Sequence, residues 1–124
     1  DYDCADCNDV DRDLRALYEQ AATVSTAQKT EFAFMVKEYE SLFLADHETT
    51  RSVFPDIPES CVFPQNPEAV RGAKEWLSKA RPKGLAYKET TDQAKITARL
   101  DLDRLRDRSP SFCRFEAAVL KLLS

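Results

Sequence analysis

Ala27-Gln28-Lys29-Thr30-Glu31-Phe32-Ala33-Phe34-Met35-Val36-Lys37-Glu38-Tyr39-Glu40-Ser41-Leu42-Phe43-Leu44-Ala45-Asp46 is the stretch on which the reading of the fold turns. Phe32, Met35, Val36, Tyr39, Leu42 and Phe43 recur at three- and four-residue spacing, and Lys29, Lys37, Glu38 and Glu40 fall off that stripe. The pattern predicts an amphipathic helix over about 27–46 or beyond, with an aromatic buried face. Phe34 lies beside the stripe, where it either widens the buried face or stands exposed for a partner. No Pro or Gly occurs before Pro55, so the strongest helix breakers are missing from nearly half the chain.

Nearer the N-terminus, Val10, Leu14, Leu17, Tyr18 and Ala21 give a second helical stripe, with Asn8 or Asp9 to cap it and Asp11 and Asp13 at its positive end. Ser25 and Gln28 read as a capping box between the two helices; one continuous helix over about 9–46 is the alternative. Residues 47–66 read as an irregular, proline-rich connection, since Pro55, Pro58 and Pro64 forbid regular structure. Val53, Phe54, Ile57, Val62 and Phe63 make it too apolar for a free linker, so it should lie against the helices, pinned by Cys61. Asn66-Pro67-Glu68 opens a third helix through Val70, Ala73, Trp76, Leu77 and Ala80, ended by Arg81-Pro82-Lys83-Gly84. Thr90-Thr91-Asp92-Gln93 opens a fourth, with Ile96, Leu100, Leu102 and Leu105 on its apolar side. Ser109-Pro110 starts the last, through Phe112, Phe115, Val119, Leu120, Leu122 and Leu123.

Composition agrees with an all-α chain. In 124 residues, 43% hydrophobic and 32% charged, there are only 2 glycines. Sheet proteins of this size need many tight turns, and those turns lean on Gly for positive φ. The expected architecture is therefore a single domain over 1–124, a compact bundle of about five helices.

Four cysteines, Cys4, Cys7, Cys61 and Cys113, are spread along the chain. A four-cysteine zinc site would present two close pairs, and only Cys4 and Cys7 are close. A thioredoxin-type pair would follow a strand, for which residue 4 leaves no room; a haem attachment would need His at position 8, which is Asn. Two disulfides, joining Cys4 and Cys7 each to one of Cys61 and Cys113, would close long loops and stabilise most; the two crossed pairings stay open. Such staples predict a secreted or periplasmic protein. The start Asp1-Tyr2-Asp3-Cys4, without Met, suits a mature chain freed of its signal, or a shortened one.

Net charge is −4, yet residues 1–13 alone carry −5, leaving about +1 on the rest. No basic stripe emerges, so nucleic acid is not the expected partner, and no apolar run is long enough for membrane insertion. Asp9, Asp11 and Asp13 match the first three ligand positions of a calcium loop, but Leu14 and Gln20 stand where its Gly and Glu belong. His47, the single histidine, is expected to cap the end of the second helix. Glu38 and Glu40, two apart on a helix, would face different ways. Arg99, Arg104, Arg106 and Arg108 interleave with Asp101, Asp103 and Asp107 as a solvated ion-pair face or a recognition surface. Lys79, Arg81, Lys83 and Lys88 form a second basic cluster.

With no phosphate-cradling loop, no paired base and nucleophile and no metal signature, the expectation is a protein without enzymatic activity, cofactor or metal. It reads as a disulfide-stapled binding protein acting outside the cytoplasm on another protein, as an inhibitor, immunity-type neutraliser, effector or adaptor. Asp3, Asp6, Asp9, Phe34, Arg99, Arg104, Arg106 and Arg108 are the candidate contact residues. The alternative is a helical carrier for a small apolar ligand in an aromatic-lined cavity.

Overall fold

The computed structural model describes residues 10–24 and 29–124, and every regular element within them is helical. Helix α1 spans Val10–Val24, with Asp11 and Asp13 in its first turn. Val10, Leu14, Leu17, Tyr18 and Ala21 are half-buried while most of their neighbours are exposed, as the helical stripe requires. The box read at Ser25 and Gln28 lies outside the described residues.

The segment expected to be the longest helix is not one. Residues 29–40 are irregular, and helix begins only at α2, Ser41–Ala45, breaks at Asp46 (φ −97°, ψ 65°) and resumes as α3, His47–Val53. Lys37 sits at φ 65°, a left-handed conformation that interrupts any right-handed helix. The Val36 N–H donates to Ser111 Oγ at 3.1 Å, a bond an intact helix would have spent internally. Phe32 to Val36 is an unbroken apolar run, and such a run suits a buried extended segment as well as a helix. Long-range partners decided between them.

Helix α3 likewise overturns the irregular reading from residue 47. It stops at Phe54, directly before Pro55, where the pre-proline residue leaves the helical region. From there the chain does run irregularly, with Phe54, Ile57 and Phe63 buried and Val62 exposed.

Asn66 and Pro67 open only a 3₁₀ turn, Pro67–Ala69, and Asn66 makes no side-chain cap. Gly72, at φ 71°, turns the chain into α4, Ala73–Ala80, so this helix starts later than the sequence suggested and ends before Pro82 as expected. The fourth helix is divided into α5, Glu89–Thr97, and α6, Leu102–Arg108. Asp101 causes the division: its side chain accepts from the Arg104 N–H and starts a new helix. Helix α7, Pro110–Leu123, begins as read, with Ser109 Oγ accepting from the Phe112 N–H. The chain is all-α in its described residues, but built from seven shorter helices rather than about five.

Phe43, Leu44, Leu77, Ile96 and Leu105, one or more from each of α2, α4, α5 and α6, are fully buried and form the centre of the core. Tyr39 meets Phe43 edge-on at 5.7 Å, and Phe63 packs on Trp76 at 4.7 Å. No disulfide staples this core among the described residues. Cys61 is half-buried, Cys113 is exposed, and both are free thiols; Cys113 Sγ donates instead to the Arg106 carbonyl at 3.2 Å. Cys4 and Cys7 lie outside the described residues.

Candidate functional site

Carboxylates from one segment tie down the backbone of another throughout the molecule. A helix start leaves unpaired N–H groups with a partial positive charge, so a carboxylate there satisfies both needs. Glu38 Oε2 accepts from the Lys74 N–H of α4 at 3.2 Å. Glu68 Oε1 accepts from the Ser111 N–H of α7 at 2.7 Å and from Ser109 Oγ at 3.3 Å. Asp46 caps α3 through the Thr49 N–H at 3.2 Å and, with its other oxygen, accepts from the Asp101 N–H at 2.8 Å. Asp46 is fully buried. Burial pushes its carboxyl up, but the Asp101 amide, the Arg104 guanidinium and Thr49 together hold it below the usual value.

The arginines expected to form one charged face point three ways. Arg104 Nε reaches Asp46 at 2.7 Å and its Nη2 donates to Thr49 Oγ1 at 3.1 Å. Arg108 grips Glu48 with two bonds, 2.7 and 2.9 Å, and donates to the Ala45 carbonyl at 3.0 Å. This grip, outweighing partial burial, lowers the Glu48 carboxyl to about 2. Arg106 turns the other way, bonding Glu116 of α7 at 2.6 Å and Asp103 at 2.5 Å. Arg99 is exposed. Helix α6 thus rivets α3 on one side and α7 on the other, and three of the four guanidinium groups are engaged within the fold. Phe34 is half-buried, and Asp3, Asp6 and Asp9 lie outside the described residues.

Glu40, which falls off the apolar stripe in the sequence, is fully buried. Its Oε1 accepts from Tyr87 Oη at 2.8 Å and Gln93 Nε2 at 3.0 Å, while Oε2 is buried without a partner. Burial, then the Glu40 hydrogen bond, raises the Tyr87 phenol far above its ordinary value, so it stays a donor. His47 begins α3 instead of ending a helix, with Nδ1 3.4 Å from Glu48 and its ring on Phe63 at 5.4 Å. Arg81 of the second basic cluster is likewise engaged, paired with Asp56 at 3.0 Å and lying over the Phe54 ring at 4.1 Å.

A cleft of about 340 Å³ opens between α1 and α7. Asp11, Leu14, Arg15 and Tyr18 line it from α1, and Arg114, Ala117, Ala118 and Lys121 from α7; each set follows i, i+3, i+4, i+7 spacing, one stripe per helix. Glu31 and Phe32 close one end: Tyr18 Oη donates to Glu31 Oε2 at 2.5 Å and accepts from the Phe32 N–H at 3.0 Å, and the bond to Glu31 raises the Tyr18 phenol. The sequence reading missed this site, although the spacing of 114, 117, 118 and 121 was its available signal. Phe112 points away from this stripe into the core, and Phe115 is exposed.

On the outer side of α7, Leu120 and Leu123 are 61% and 79% exposed, and Phe115 and Leu122 are exposed nearby. Among the described residues, no group of three or more His, Cys, Asp or Glu could hold a metal ion, and no helix is long and apolar enough to cross a membrane. Asp11 and Asp13 lie in the first turn of α1, Asp13 beside Arg12 Nε at 3.2 Å.

These features, among the described residues, define a small helical protein whose buried acids serve the backbone and whose surface carries a mixed cleft and exposed apolar residues on α7. The chain belongs to the family described as a domain of unknown function (DUF4276), which it matches over residues 1–120. No curated protein and no solved structure matches it.

Proposed function

We propose that the protein is a helical binding module that acts on another protein, not by catalysis, through the C-terminal half of α7. The observation that carries this reading is the apolar edge of α7. Leu120 and Leu123, and to a lesser degree Phe115 and Leu122, leave large apolar side chains in water along the C-terminal half of one helix, and exposed large apolar side chains gathered in this way mark contact surfaces. The interleaved arginines of α6 support the reading less, being held by Asp46, Glu48 and Glu116. Action outside the cytoplasm rests on the even number of cysteines in the sequence alone; Cys61 and Cys113 are free thiols.

The test is affinity capture from the organism that makes the protein, comparing the natural chain with a Leu120→Glu, Leu123→Glu variant. A partner retained by the first and lost by the second, with equal far-UV circular dichroism, is the expected result. Equal capture by both removes α7 as the contact. Mass spectrometry of the native protein without reductant tests the staple: four free thiols would remove it, and with it the argument for action outside the cytoplasm.

A second reading, a carrier of a small ligand, is favoured by the α1–α7 cleft. An aromatic-lined void does not support it, because Phe43, Phe63 and Phe112 are packed in the core.

A further inference from the structure

Helices α1 and α7 face each other with unlike stripes. Helix α1 offers Leu14 and Tyr18, both large, whereas the matching positions of α7 are Ala117 and Ala118. Two consecutive alanines opposite large side chains leave room that neither helix fills, and that room is the cleft. Its volume of about 340 Å³ falls at the lower end of small-molecule pockets, which run from about 300 to 1,000 Å³. The floor of Leu14, Phe32, Ala117 and Ala118 is apolar.

The rim is charged and unevenly satisfied. Arg15, Arg114 and Lys121 face Asp11 and Glu31, an excess of one positive charge. Glu31 is already engaged by Tyr18 Oη and lies 3.8 Å from Lys121 Nζ. Arg15 is exposed and has no hydrogen-bond or ion-pair partner among the described residues. Arg114 is only partly used: Nη2 donates to Ser111 Oγ at 3.2 Å and stands 3.9 Å from Glu68, but its Nε is buried without an acceptor.

Resting on the carrier reading, we propose that the α1–α7 cleft binds a small amphiphilic carboxylate, its alkyl body over Ala117 and Ala118 and its headgroup between Arg15 and Arg114. A wholly apolar ligand would leave the Arg15 guanidinium unanswered, and a bare anion would leave the apolar floor wet. Only a molecule with both parts meets the whole lining. The site lies apart from the apolar edge of α7: residues 114, 117, 118 and 121 share one stripe of the helix, and Leu120 and Leu123 another.

Isothermal titration calorimetry of the full chain with octanoate, octan-1-ol and acetate tests it. Octanoate is expected to bind saturably at one site, at least tenfold tighter than octan-1-ol or acetate, a ratio appropriate to a charge-assisted hydrogen bond. Arg15→Gln should weaken octanoate by roughly tenfold. Ala117→Leu, at an exposed position that core packing does not constrain, should fill the cleft and abolish binding with unchanged circular dichroism. Equal binding of octan-1-ol and octanoate overturns the carboxylate but leaves an apolar carrier. Equal binding of acetate and octanoate overturns the alkyl part. No binding of any of the three overturns the carrier reading itself, and octanoate binding indifferent to both substitutions overturns this location.

Discussion

Arg104 and Arg106 stand two residues apart on α6, and each holds a carboxylate from another helix or its cap, yet their surroundings are opposite. Arg104 reaches Asp46, which is fully buried and also accepts from two backbone amides. Arg106 reaches Glu116 across the surface, where both groups meet water. The distances, 2.7 and 2.6 Å, do not separate them. What separates them is the alternative each carboxylate has when its arginine is lost. Glu116 returns to solvent; Asp46 is left charged in the interior. Geometry alone therefore says little about what an ion pair contributes, and burial of the anion says most.

Asp46→Ala should be the most damaging change. It removes the cap of α3, the acceptor for the Asp101 amide and the partner of Arg104 together. A loss of about 2–4 kcal/mol in urea unfolding is expected, about 1 kcal/mol for the cap and about 1–3 kcal/mol for the Asp101 amide left without its acceptor. Arg104, a third exposed, can turn to water. A loss under about 1 kcal/mol would mean that the desolvation of Asp46 cancels its bonds, and the contrast with Glu116 would collapse.

Acid should act next, and on the same corner. Asp46 and Glu48 both have carboxyls held below their ordinary values, Glu48 at about 2 against 4.5. A lowered native value means that the unfolded chain takes up the proton first. The contribution of Glu48 is then complete above about pH 4.5 and disappears as pH falls toward 2, and that of Asp46 is lost in the same direction. The unfolding midpoint of the natural chain should drop across that window, and Arg108→Ala should flatten the drop. An equally steep drop in Arg108→Ala would move its origin away from Glu48.

Tyr87→Phe is expected to cost about 1–3 kcal/mol, since it leaves buried Glu40 with Gln93 as its one remaining donor. No measurable cost would show that Glu40 is satisfied in some other way. Ser109→Ala should cost about 1 kcal/mol, the ordinary worth of an N-cap.

The cheapest of these features was also the most legible. Ser109-Pro110 announces the start of α7 within two residues, because a cap and its amide are neighbours in sequence. The same holds for the stripe of α1 and for the stop at Pro82. Glu40 and Asp46 were illegible for the opposite reason. Their partners, Tyr87, Gln93, Asp101 and Arg104, lie 47–58 residues further on, and nothing local distinguishes a buried glutamate from an exposed one. The helix expected over 27–46 failed on that account: the bonds that hold Val36, Glu38 and Glu40 out of a helix come from α7, α4, and α5 with its approach. The α1–α7 cleft was hidden differently. Its spacing is visible, but Ala117 and Ala118 look like ordinary helix formers until Leu14 and Tyr18 are seen across from them.

Arg106→Ala should be the mildest change and sharpens the contrast most cleanly. Arg106 and Glu116 are both in contact with water, so removing the guanidinium leaves Glu116 hydrated and asks nothing of the core. The melting temperature should move by no more than about 1 °C, within the range of exposed pairs that contribute nothing measurable. Salt supplies the discriminating arm. At 1 M the screening length is about 3 Å, so whatever the Arg106–Glu116 pair contributes should vanish there. The Asp46–Arg104 pair, shielded from solvent on its acidic side, should keep its effect. A large loss in Arg106→Ala that persists at 1 M salt would show that this surface pair, through its hold on α7, matters to the core as much as the buried one.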